Sequence, residues 1–120
     1  MKVLITSNGR ELCDLIESRF GRAKYYLMVD TESGEFTAHD NILNLQSSQG
    51  AGIQAASRVV KLGASAVITG HVGPKAFRVL QTAEIPVYLA SNITGAEAVR
   101  MFGEGRLEEL PCADVEGHWA

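Results

Sequence analysis

The chain has 120 residues, 46% hydrophobic and 21% charged, which is enough for one domain whose core needs no disulfide. No apolar run approaches the length that spans a bilayer, and Met1-Lys2-Val3-Leu4-Ile5-Thr6 turns polar too soon for a signal peptide, so a cytoplasmic location without membrane attachment is expected. The net charge of −3 is uneven: residues 1–94 hold nine Lys/Arg against eight Asp/Glu, and residues 95–120 hold two against six, which lacks the basic face of a nucleic-acid binder.

Lys2 to Ser7 reads as a first strand ending in an Asn8-Gly9 turn, and Leu12, Leu15 and Ile16 then suggest a short helix. Cys13 falls on that helical pattern as a small buried hydrophobe. Phe20-Gly21-Arg22-Ala23 is a loop. Tyr25–Asp30 and Glu35–Asp40 are strands joined by Thr31-Glu32-Ser33-Gly34, a connection short and polar enough for an antiparallel hairpin. His39 reads as an exposed sheet residue, and residues 41–49 are polar and irregular.

From Gly50 the pattern changes to βα units. Ile53, Ala56 and Val60 recur at helical spacing, with Val59 and Leu62 widening the apolar stripe and Gly63 placed to end it. The apolar run Ala64–Thr69 reads as a central parallel strand, and Ala76, Phe77 and Leu80 mark the next helix. Ile85–Leu89 is a short strand whose Pro86 requires an edge position or the strand's start. Thr94-Gly95-Ala96-Glu97 is a capping box ahead of Val99 and Phe102. The expected architecture is α/β: a five-stranded mixed sheet, built from a β-hairpin plus βα units, with helices on its faces. The domain covers residues 1–107, and 108–120 is an acidic C-terminal tail.

The turn Gly70-His71-Val72-Gly73 ahead of Pro74 is the most informative segment. Its glycines let backbone approach a ligand, while the following helix offers unsatisfied N–H groups and a partial positive charge to an anion. The competing reading is a connection that holds glycines only because it is tight. In an open α/β sheet, loops at the carboxyl ends of the strands build the ligand crevice. The turns at Ser7-Asn8-Gly9, Gly70–Pro74 and Ala90-Ser91-Asn92 are expected to converge there, covered by the loop that ends in Gly50-Ala51-Gly52. Arg22 beside Gly21 offers a guanidinium, or is a solvated loop arginine. His71 offers an imidazole, or simply faces solvent. Gln49, Ser91 and Asn92 add uncharged donors, and Asn8 either joins them or forms only a turn.

Cys13 and Cys112 lie outside any CxxC pair, so the sequence encodes neither a zinc ribbon nor a four-thiolate cluster site. Whether Cys112 and His118 ligate a metal is open. No Walker A or GxSxG pattern is present, and Lys2–Ser7 contains none of the carboxylates that two-metal nuclease chemistry needs. No catalytic residue is therefore assigned, and a non-enzyme is expected.

An ordered series of motifs runs through residues 1–107: Phe20-Gly21-Arg22-Ala23, Tyr26, Val29-Asp30, Gly50-Ala51-Gly52, Val67-Ile68-Thr69-Gly70, Gly73-Pro74-Lys75-Ala76, Ile85-Pro86-Val87-Tyr88 and Phe102-Gly103-Glu104-Gly105-Arg106-Leu107. This series resembles the dinitrogenase iron–molybdenum cofactor biosynthesis family, including its small orange-protein-like cluster carriers. The resemblance implies a ribonuclease-H-like fold and a non-covalent carrier for a metal-sulfide cluster containing Mo, Fe or Cu, or for its precursor, with cluster donor or acceptor proteins as partners. Some relatives have a histidine where this chain has Gln49, which removes a possible ligand here, and many have glycine where it has Glu84. The cofactor-binding set expected from these turns and donors is Asn8, Gly21, Arg22, Gln49, Gly50, Ala51, Gly52, Gly70, His71, Val72, Gly73, Ser91 and Asn92. The alternative is a regulatory interaction module that binds no cluster.

Overall fold

The computed structural model describes residues 1–41 and 51–111. Six strands form one mixed sheet: β1 (Lys2–Ser7), β2 (Tyr25–Asp30), β3 (Phe36–Asp40), β4 (Ala66–Thr69), β5 (Val87–Leu89) and β6 (Glu108–Glu109). Among the described residues three α-helices accompany it: α1 (Ala51–Leu62), α2 (Pro74–Thr82) and α3 (Gly95–Gly103). The strand order is β3-β2-β1-β4-β5-β6, with β4 and β5 parallel to β1 and the other pairings antiparallel.

β1 is buried along Val3–Ser7 because it has a strand on each side and a helical layer on each face. Its alternate residues serve two cores, as the two-residue period of a strand requires. Leu4 joins Tyr26, Val67, Ala56, Val59 and Leu80 under α1 and α2, whereas Val3 and Ile5 join Leu27, Ile68 and Ala98 under α3. The β2–β3 hairpin closes as its polar turn predicts: Asp30 Oδ1 accepts from the Glu32 N–H at 2.9 Å, and the Gly34 N–H donates to the Asp30 carbonyl at 2.8 Å.

The sheet has six strands rather than five. β6 is two exposed glutamates, with no alternation to reveal it, and it falls where the acidic tail is expected to begin. Tertiary contact creates it: Glu109 sits opposite Tyr88, and the Leu110 N–H donates to the Val87 carbonyl while the Leu110 side chain is buried. β5 is consequently internal, and Pro86 stands just before it, where the missing N–H costs no ladder bond. The short helix expected around Leu12–Ile16 is also absent. That segment is irregular backbone bridged to its neighbours (Ser7 to Ile16, Leu15 to Thr94), so Leu15 and Cys13 are exposed rather than packed on a helical face. No helix among the described residues is long and apolar enough to cross a membrane.

Candidate functional site

All three helices begin at one edge of the sheet, the carboxyl edge of β1, β4 and β5. The order in which strands are added reverses between the parallel strands β1 and β4, where an open α/β sheet normally leaves its crevice. Here the chain fills that crevice itself. Residues 15–20 cross from one face to the other as a ribbon, with Ile16 in the α3-side core and Phe20 in the α1/α2-side core. The Ile16 N–H donates to the Ile93 carbonyl (2.9 Å), Glu17 N–H to Thr6 (3.0 Å), His71 N–H to Ser18 (2.6 Å) and Phe20 N–H to His71 (3.0 Å).

Buried hydroxyls hold the ribbon from below. The Thr6 hydroxyl donates to the Glu17 carbonyl at 2.6 Å and, having one proton, accepts from Thr69 Oγ1 at 2.8 Å. Burial alone would raise the Glu17 carboxyl pKa, but hydrogen bonds from the Arg19 N–H and guanidinium and from the Ser18 hydroxyl outweigh it and hold the group below the usual glutamate value. The ribbon also explains Gly70. A Cβ there would stand 2.7 Å from the Ser18 carbonyl oxygen and 2.8 Å from Ser18 Cα. The glycine is required by a backbone crossing, whatever else the turn does.

The ribbon divides the expected site residues. On the α1/α2 side, the 3₁₀ turn Phe20–Arg22 carries Gly21 and Arg22, both half-buried, and α1 packs against this turn and against α2. Gly52, in the first turn of α1, lies so near α2 that a Cβ on it would be 3.3 Å from Ala76 Cβ. Gly21, Arg22, Ala51, Gly52, Gly70, His71, Val72 and Gly73 therefore share one corner, although Val72 is a core residue. The N–H and carbonyl of the exposed His71 are both bonded to the ribbon. Ser91 and Asn92 are exposed beside Ile93 on the α3 side, and Asn8 is exposed with its N–H on the Leu15 carbonyl at 3.0 Å. The structure does not join these three to the corner. Gln49 and Gly50, like Cys112 and His118, lie outside the described residues.

The two helices that flank the corner are basic. α1 carries Arg58 and Lys61, α2 carries Lys75 and Arg78, and neither helix has an acid. Gly73 caps α2 with φ −69° and ψ 163°, contributes no side-chain bond, and is followed by Pro74, which has no N–H. A groove of about 580 Å³ runs alongside α1, lined by Asp40, Asn41, Ile53, Gln54, Ser57, Arg58 and Lys61, with the Arg58 guanidinium donating to the Asp40 carbonyl. Lys75, Arg58 and Asn41 are neighbours of the corner that the sequence reading did not assign to the site. The lack of acids in α1 and α2 was readable from the chain; that the two helices stand side by side was not.

Among the described residues, no three His, Cys, Asp or Glu side chains converge in a metal-holding group. The donors on the corner are cationic side chains and peptide N–H groups, which suit an anion rather than a bare cation.

Comparison with known proteins agrees with this fold. A protein of Methanocaldococcus jannaschii of uncharacterized function is 32% identical over 112 residues, covering 92% of each chain. The apo form of the orange protein from Desulfovibrio gigas superposes with a TM-score of 0.92 at 36% identity, covering 95% of this chain and 96% of that one. A Thermotoga protein of the DUF35 family superposes with a TM-score of 0.83, also at 36% identity, covering 97% and 98%. The profile described as dinitrogenase iron-molybdenum cofactor matches residues 1–105, and the chain belongs to that family.

Proposed function

We propose that this protein is a non-covalent carrier of an anionic metal-sulfide cluster containing molybdenum, iron or copper, or of its precursor, and not an enzyme. The observation that carries the reading is the corner where the Gly21–Arg22 turn, the start of α1 and the Gly70–Pro74 turn meet on an acid-free helical pair. Family membership and the likeness to the orange protein support it. The order β3-β2-β1-β4-β5 supports a ribonuclease-H-like description of the sheet, with β6 as an addition at its edge.

A sulfide-rich anion spreads its charge over large, weakly hydrated atoms. Fixed N–H dipoles and a planar guanidinium stabilise such a charge without reorganising and without forming a covalent bond. Release to an acceptor protein then breaks only hydrogen bonds and ion pairs. In this reading the corner residues listed above, with Gln49 and Gly50, hold the cargo, and Asn8, Ser91 and Asn92 meet it only if the cargo reaches across the ribbon.

Titration of the apo protein with tetrathiomolybdate, followed by amide NMR shifts, tests this. Changes clustered at residues 21–23, 49–53 and 70–75 are expected, and Arg22→Ala should weaken binding by about 1–3 kcal/mol. Shifts confined to residues 112–120, or no binding at all, would overturn the carrier and leave the regulatory interaction module.

A further inference from the structure

The buried polar side chains of the described residues, Thr6, Ser7, Asn41 and Thr69, all lie at the carboxyl edge, as does the hydroxyl of the fully buried Tyr26, whose residue pairs with Thr6. Burying a phenol or a carboxamide is unfavourable unless it is hydrogen-bonded, and an apolar side chain of the same shape fills a core equally well. These groups are therefore informative through what they bond. The Tyr26 hydroxyl donates to the Phe20 carbonyl at 2.8 Å. The Asn41 carboxamide, 2% exposed, donates to the Ala23 carbonyl at 2.8 Å and to the Gly21 carbonyl at 3.4 Å.

Three carbonyls of one four-residue turn are thus drawn inward by two side chains, one from β2 and one just beyond β3. In a trans peptide the N–H points opposite its carbonyl. Pinning the Phe20 carbonyl on Tyr26 turns the Gly21 N–H away from that hydroxyl, and pinning the Gly21 and Ala23 carbonyls on Asn41 fixes the backbone on both sides of Arg22. Packing does not require this: the Tyr26 ring already meets Phe20, with ring centroids 6.0 Å apart, and a phenylalanine would keep that contact.

We propose that Tyr26 and Asn41 are positioning residues, a buried polar cradle that fixes the Phe20–Ala23 turn, and with it the backbone of Arg22 and the Gly21 N–H, at the corner assigned to the anion. The inference rests on the carrier reading for its ligand, but not for its geometry. It predicts that part of the affinity comes from preorganisation, because a loose turn must be ordered at the moment of binding.

Tyr26→Phe removes one hydroxyl and keeps the ring. In amide hydrogen exchange of the apo protein, the Arg22 N–H, bonded to the Arg19 carbonyl at 3.2 Å, should exchange at least about tenfold faster in this variant, while β1 and β4 amides stay protected. In tetrathiomolybdate titrations, Tyr26→Phe should raise Kd about five- to tenfold. Arg22→Ala should then cost less in the Tyr26→Phe background than in the native chain, because the two residues act through one contact. A purely structural role for Tyr26 predicts that the two losses multiply. Unchanged exchange at Arg22 would overturn the cradle, and so would independent losses. If exchange changes as expected but the native protein fails to bind tetrathiomolybdate, the cradle stands and the carrier reading falls.

Discussion

α2 and α3 start at the same sheet edge with the same partial positive charge, yet the protein treats them differently. At α3 the first-turn donors are consumed internally. The Gly95 N–H goes to the Asp14 carbonyl (3.1 Å), Ala96 to Leu12 (2.9 Å) and Glu97 to Thr94 Oγ1 (3.2 Å). The irregular segment 10–16 lies across this helix start and closes it. At α2 the cap is a glycine with no side chain to offer, the next residue is a proline, and the helix's own charges are Lys75 and Arg78. One helix start is finished by bonds from segment 10–16 and the Thr94 cap; under the carrier reading the other is finished by the anion. A glycine-rich turn thus means different things on the two sides of the ribbon, and the bonds around it distinguish them.

The largest expected effect comes from removing the ribbon that separates the two sides. Gly70→Ala sets a Cβ 2.7 Å from the Ser18 carbonyl oxygen, a contact with backbone that no rotamer relieves. It should destabilise the fold by about 2–3 kcal/mol, read as a lower urea midpoint at an unchanged slope. A neutral result would mean that the crossing yields easily and that the partition drawn here is soft.

Gly73→Asp gives α2 the cap that α3 already has. Its φ of −69° and ψ of 163° accept any L residue, and the new carboxylate would take the Lys75 or Ala76 N–H. We expect Kd for tetrathiomolybdate to rise at least about tenfold, because the carboxylate competes for the donors and repels the ligand, while stability holds or improves by about a few tenths of a kcal/mol. Full affinity in this variant would remove the α2 start from the site.

Thr94→Ala is the converse and the smallest change. It should cost about 1 kcal/mol of stability through the lost cap and leave tetrathiomolybdate affinity as it was. An affinity loss beyond that of other equally destabilised variants would show that the two helix starts are coupled across the ribbon.

Much of the fold was legible because the signals were local. The β2–β3 hairpin follows from a polar turn between apolar runs, α3 from Thr94 and Glu97 three residues apart, and α2 from Pro74 at its first position. The candidate corner was legible in part: glycine turns and Arg22 mark it in the chain. Segment 10–16 was misread because Leu12, Leu15 and Ile16 satisfy a helical spacing by accident, and bonds to residues 93–96 decide its course instead. Asn41 carried no signal at all, since an asparagine after a strand usually marks a turn rather than a buried clamp.

By itself the sequence determined most of the periodic elements and their order, because periodicity, caps and turn chemistry act over a few residues, and its ordered motif series carried the resemblance to the family. Only the tertiary structure decided which glycine turns meet. The ribbon of residues 15–20 occupies the crevice between β1 and β4, so Arg22, Gly52 and His71 come to one corner while Ser91 and Asn92 remain on the other side. Such a partition rests on hydrogen bonds between residues far apart in the chain, Ser18 to His71 and Thr6 to Thr69 among them, and neither composition nor spacing encodes a contact of that kind.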